Sequence, residues 1–324
     1  MPVTNCRLFT AMKSLLVALL LAGAFSGVAQ SLPAVYLNER GEETVPDSAS
    51  HYRVVERRPE SGGLLPMREY AMNGTLLLRG FLTPDEPPTR AGQFTWYHPN
   101  GVKASQTYFR NDEVNGLFVA WYDDGKVRER GEYDNGQRNG RWLSVHRNGQ
   151  KRSEGQYVGS RPLGDWRFYY DSGQLAAVES IERGLPTALT FYNENGALQA
   201  GPLLRRVPPA FPGGEIALLE YLNMHTEYPK DARRKGITGK VYISYTVGED
   251  GRVGQVRVVR GLSADVDNEA LRVVRSLPRF KPGREYNVPT AFTYTVPIHF
   301  APDFRLFGGH KPAPTPPIEA RASW

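Results

Sequence analysis

Six histidines, one cysteine and two pairs of identical neighbouring carboxylates are the first candidates for catalysis or metal binding in this 324-residue chain. His51, His98, His146, His225, His299 and His310 include no pair three or four residues apart, the spacing that places two ligands on one helix face. Cys6 is the only cysteine, so no thiolate pair exists. Glu42–Glu43 and Asp123–Asp124 fall in turn-like stretches with no nucleophile–base set beside them. There is no G-x-S-x-G elbow, no Walker A run and no H-E-x-x-H helix. The sequence predicts a binding protein rather than an enzyme, with no catalytic residue, metal or cofactor.

The elements that would present a binding surface are short strands. Hydrophobic residues make up 40% and charged residues 23%, ordinary globular usage that excludes a wholly disordered or fibrous chain. The 33 glycines and 25 prolines supply turns. Net charge is +6, but acids are interspersed with the bases, so no nucleic-acid partner is expected. Arg7 and Lys13 precede an apolar run, Leu15 to Phe25, and Gly27 and Ala29 fit a signal-peptidase site. The expectation is a signal peptide over 1–29 and a periplasmic protein starting near Gln30. The alternative is an uncleaved anchor in the inner membrane facing the periplasm, although Leu15 to Ala29 falls short of the ~20 residues that span a bilayer.

The middle of the chain repeats every 24 residues. Gly92, Gly116, Gly140 and Gly164 form one series and Gly101, Gly125, Gly149 and Gly173 another. Phe94, Phe118, Trp142 and Trp166 form an aromatic column in phase with them, and Phe109, Tyr133, Tyr157 and Ile181 a second. Each unit reads as a hairpin, with a first turn such as Asp123-Asp124-Gly125 and a second over Asn135 to Gly140. One hairpin cannot bury its aromatic face, so neighbours must share a ribbon-like core. His98 and His146 occupy matching slots and read as surface turn residues. Weaker copies appear at Tyr70–Gly74 and Phe191–Gly196, and Val35–Gly41 begins an atypical unit. These hairpins resemble MORN-type repeats, which serve variously as scaffolds, lipid-proximal surfaces and protein-binding ribbons. The aromatic columns read first as ribbon packing, with a stacking platform for a sugar or base as the alternative.

After Val207-Pro208-Pro209 the period stops. A helix over 214–224, a short helical stretch over 230–235, strands over 240–247 and 253–259, a helix over 264–277 and a strand over 290–300 follow. The order is α-β-β-α-β. The segment 205–301 resembles the C-terminal domain of the TonB family of periplasmic energy transducers. The match is carried by Tyr228, Pro229, Gly236, Gly239, Asp250, Gly251, Pro278, Phe280, Pro282 and the Pro297-Ile298-His299-Phe300 run. Those residues are expected to be structural, with Phe280 plugging the sheet–helix core.

The resemblance implies partner recognition by strand addition. A TonB-box peptide of a TonB-dependent outer-membrane receptor, or a segment of another envelope protein, would pair with the last strand, at Thr290, Ala291, Phe292, Thr293, Tyr294 and Thr295. Inner-membrane proton-channel proteins become partners if the leader is retained. The leader, however, lacks the family's histidine, and repeats stand where the family has a Pro-rich spacer. The expected fold is therefore mostly β with an α+β C-terminal domain: signal peptide 1–29, an atypical segment 30–66, MORN-like repeats 67–200, the TonB-like domain 205–301, and a disordered Pro-rich tail 302–324. The expected function is protein binding in energy-coupled transport of nutrients or siderophores. Its rivals are a non-transport envelope scaffold and a toxin-neutralising repeat protein.

Overall fold

The computed structural model describes residues 30–57, 63–200 and 203–301. The predicted leader and the Pro-rich tail lie outside them. Among the described residues no helix is long and apolar enough to cross a membrane.

A fifteen-stranded antiparallel sheet runs from Gln30–Ser31 to Leu185–Phe191, its strands laid down in nearly sequential order as a ribbon one layer thick. The first turn of every unit has one geometry. Gly101, Gly125, Gly149 and Gly173 all lie at φ between 80° and 91°, where a β-carbon is strained. Each donates its N–H to the residue three before it (His98, Tyr122, His146, Tyr170) at 2.8–3.0 Å. Gly41, Gly74 and Gly196 repeat this bond, so the array extends beyond the four strong copies. Residues 42–66, which the period does not place, supply His51–Arg57, and this strand pairs with Leu65–Ala71. The second turns are tighter than predicted. Asn135-Gly136 alone is the loop, both residues at positive φ, and Gln137–Val145 is already strand.

The aromatic column lies flat across glycines of the preceding strand. A β-carbon on Gly80 would sit 2.5 Å from the Phe94 ring, on Gly131 2.2 Å from Trp142, and on Gly155 2.2 Å from Trp166. Trp142 is 2% exposed although the sheet has a single layer. Phe118, Tyr133 and Tyr157 pack around its ring, and the Arg138 guanidinium lies 4.3 Å from its centroid.

A second ladder ties unit to unit through the first-turn residues. His98 Nε2 donates to the Trp121 carbonyl at 3.0 Å, Tyr122 Oη to Val145 at 2.7 Å, His146 Nε2 to Tyr169 at 2.8 Å and Tyr170 Oη to Tyr192 at 2.8 Å. His146 is thus a buried clamp, 5% exposed, not a surface turn residue. A buried ring nitrogen needs a partner, and the next unit's carbonyl provides it.

The C-terminal domain comprises α1 (Gly214–His225), α2 (Lys230–Arg234), the central strand Gly239–Val247, the outer strand Val253–Arg260, α3 (Ala264–Arg275) and the edge strand Phe292–Phe300. The three strands form one antiparallel sheet with the central strand in the middle. Val241, Ile243, Tyr245 and Val247 meet Val266, Ala270, Val273 and Val274 of α3 in its core. A small second sheet joins Arg206–Val207 to a hairpin made of Arg284–Glu285 and Val288–Pro289.

Candidate functional site

The motif residues of the C-terminal domain are structural. Tyr228 Oη donates to the Ile237 carbonyl at 2.5 Å, and its ring packs 6.0 Å from Phe300. Pro229 caps α2 and Gly236 ends it at φ 65°. Gly239 leaves room for Leu262, 3.1 Å from where its β-carbon would be. Asp250 Oδ1 accepts from the Arg252 N–H at 3.0 Å, while Gly251 lets the Phe280 carbonyl approach to 2.1 Å of its absent β-carbon. Phe280 is 5% exposed and packs edge-on against Phe211 at 5.2 Å. Pro278 follows α3, and Pro282 leads out of the Lys281–Ala210 bridge.

The edge strand pairs with the central strand over nine consecutive residues without a shift, from Gly239↔Phe300 to Val247↔Phe292. Among the described residues no strand lies on its other side. The phase of its backbone follows from one bond. Gly248 N–H donates to the Arg252 carbonyl at 2.8 Å, so this residue faces the outer strand and Val247 faces the edge strand. Alternation then turns Phe292, Tyr294, Val296, Ile298 and Phe300 inward to the central strand, and Thr293, Thr295 and Pro297 outward. Proline lacks an N–H, and position 297 is one where the central strand needs none.

Of the six residues named for a partner, only Thr293 and Thr295 therefore turn their N–H and C=O groups outward. Phe292 is 3% exposed and Tyr294 half-buried beside Tyr245, both on the core side. Burial pushes the Tyr294 phenol up from its ordinary value. The strand starts at Phe292, two residues later than predicted, because Thr290 is held elsewhere: its N–H donates to Gly283 and its hydroxyl to the Val288 carbonyl. Ala291 is exposed between the two. The opposite edge is less open to a partner. The outer strand carries two register shifts and Gln255 at φ 49°, a bulge of the kind that blunts an edge.

Sequence reasoning missed that the ribbon and this domain touch. The tip of the 284–289 hairpin, Tyr286-Asn287, sits on the aromatic face of the last repeats. Tyr286 stacks on Phe168 with centroids 3.7 Å apart and planes 6° apart, and its hydroxyl donates to Glu179 at 2.9 Å. Burial, and then that bond to a carboxylate, push the phenol well above its ordinary value. Arg205 pairs with the same carboxylate. Asn287 Nδ2 reaches Tyr170 Oη at 2.5 Å, the Tyr192 carbonyl at 3.0 Å and Gln199 at 2.8 Å. A signal was present in the repeat columns. The column Thr107, Gly131, Gly155 continues with Glu179, and Ala120, Ser144 with Phe168.

Residues 224–302 match the Gram-negative bacterial TonB protein C-terminal family, and 90–111, 114–135 and 162–180 match the MORN repeat variant. The C-terminal domain is TonB-like, and MORN-type repeats precede it. Protein TonB of Helicobacter pylori (strain ATCC 700392 / 26695) is 34% identical over 68 residues, 21% of this chain. That stretch spans 24% of the relative's length, so the likeness is confined to one domain. In the TonB-like domain, the matched residues include both outward-facing threonines and the core of the sheet.

Proposed function

We propose that this is a periplasmic, envelope-associated binding protein that captures an extended segment of a TonB-dependent outer-membrane receptor, or of a related envelope protein, by strand addition, and does so in energy-coupled transport. It acts by binding rather than catalysis. The observation that carries the reading is the unshifted edge strand Phe292–Phe300, on whose outer side no other described strand lies, with Thr293 and Thr295 turned outward. Main-chain hydrogen bonds supply affinity in this mode, and alternate side chains supply selectivity. The TonB-like domain supports the class of partner. The likeness to Protein TonB supports an envelope location.

The test is fluorescence titration of the full chain with a short, labelled synthetic peptide carrying a receptor's TonB box. Thr295→Pro removes one outward N–H in the same phase as the resident Pro297, so the fold should tolerate it. Binding is expected to weaken about tenfold, the loss of one main-chain hydrogen bond. Thr295→Val, which keeps the N–H, should bind like the parent. Equal affinity for the proline variant would place the partner elsewhere.

A further inference from the structure

We infer that Arg152, a residue of the repeat array, is a positioning residue of the edge-strand site. The inference rests on the strand-addition reading and adds a ribbon residue to it. Arg152 reaches out of the ribbon and bonds three groups of the TonB-like domain. One is Glu249, in the turn between the central and outer strands. The others are the Pro289 carbonyl at 3.2 Å and Thr290 Oγ1 at 2.9 Å, in the two residues that lead to the edge strand. Thr290 then lies only three residues before Thr293, the first outward-facing position.

The ribbon is shaped to make this reach. Every unit skips one residue in its ladder at the same place: Ala104, Arg128, Arg152 and Ala176 are the bulged residues of successive units. A bulge re-aims its side chain. At Ala176, 0% exposed, the small side chain packs with Val288 of the docking hairpin. One unit earlier, Arg152 uses the same bulge to span from the turn at Glu249 to the mouth of the edge strand. Its side chain is 21% exposed and all three bonds cross between the modules. Arginine's planar fork matches this set of acceptors. One nitrogen serves the carboxylate while another serves the carbonyl and the hydroxyl, which a lysine ammonium cannot do in one geometry. Strand addition gains from an edge already fixed before the partner arrives, since ordering it on binding costs affinity.

The experiment uses the full chain with Arg152→Gln, Arg152→Lys and Glu249→Gln. Amide hydrogen exchange over 290–295 is read without peptide, and affinity is read with the TonB-box peptide. Arg152→Gln is expected to speed exchange of the bonded amides in 290–295, those of Thr290, Phe292 and Tyr294, about tenfold and to weaken the peptide by a similar factor, with exchange in Gly116–Trp121 unchanged. Arg152→Lys and Glu249→Gln should fall between it and the parent. A merely structural role would instead raise exchange across the whole ribbon–domain contact, including Tyr170 and Asn287, and would overturn the inference. So would unchanged exchange at 290–295, or faster exchange there with unchanged peptide affinity. If the parent binds no peptide while Arg152→Gln still loosens 290–295 alone, strand addition fails as the function and Arg152 loses its role in binding. If the parent binds and Arg152→Gln binds equally well, only the role of Arg152 fails.

Discussion

Replacing Gly131 by alanine tests the packing that makes a one-layer ribbon stable. The added β-carbon would stand 2.2 Å from Cε2 and 2.3 Å from Cδ2 of Trp142, against ordinary contact beyond 3.4 Å. The ring must move by more than an ångström, and it is boxed in by Phe118, Tyr133 and Tyr157 at centroid distances of 5.3–6.0 Å. Overpacking of this kind costs about 1–3 kcal/mol. Restricting the unfolded chain by a glycine-to-alanine change returns about 0.4–1 kcal/mol. The net expectation is a loss of about 1.3 kcal/mol, the difference of the midpoints of those two ranges. Urea unfolding of the full chain, followed by far-ultraviolet circular dichroism, reads it. Trp142→Ala removes the obstacle, so in that background Gly131→Ala should cost nothing, a coupling of about 1 kcal/mol or more. A neutral Gly131→Ala in the parent, or the same cost with and without Trp142, would refute the account of rings laid over glycines.

Three further changes probe other parts of the chain. Tyr286→Ala removes the stack on Phe168 and the bond to Glu179, and should cost the docked hairpin about 2–4 kcal/mol, read as faster amide exchange at Tyr170 and Asn287. Gly251→Ala forces a β-carbon into φ 79° and to 2.1 Å of the Phe280 carbonyl, so the melting temperature of the TonB-like domain should fall while ribbon exchange holds. Burial raises the Glu154 pKa, but bonds from Arg141, Tyr169 and Lys151 outweigh it and lower the group from 4.5 to about 2. A folded pKa below the unfolded one means that the contribution is complete above about pH 4.5 and is lost as pH falls toward 2. Glu154→Gln should flatten the fall in stability over that window relative to the parent, and parallel pH curves would exclude the assignment.

The repeat was legible because its physics is local. A first-turn glycine at positive φ and a ring over a flat strand each demand one residue type, and the demand recurs every 24 positions. The order of elements in the TonB-like domain was legible for the same reason, since Pro229, Gly236 and Pro278 mark ends of helices. What escaped depends on distant partners. His146 has the composition of a surface turn residue and is buried because the next unit's Tyr169 carbonyl lies over it. Thr290 has strand propensity and is held out of the strand by its bonds to Gly283 and Val288, with Arg152, 138 residues away, bonding its hydroxyl. Phe292 and Tyr294 belong to the edge strand but not to its outward phase, which is fixed by a bond at Gly248 that composition does not encode.

Departures from the repeat therefore carry more information than the repeat itself. An array of stacked hairpins leaves its last unit with an uncovered aromatic face and needs a cap. The ring column ends at Trp166, for Thr190 stands 24 residues on, and Tyr286 of the TonB-like domain continues the face instead. Glu179, 4% exposed, sits where Gly131 and Gly155 sit in the units before it, and its carboxylate is received by Arg205 and Tyr286. Glu179→Gly would restore the column and remove the receptor for the hairpin. Because contacts in such an array pass only between neighbours, the effect should stay local: exchange at Tyr286 and Asn287 rises about tenfold while Gly116–Trp121 is untouched. A uniform rise along the ribbon would mean that Glu179 supports the array as a whole. No rise at all would mean that the stack on Phe168 suffices to hold the domain, leaving the buried carboxylate without a function in the cap.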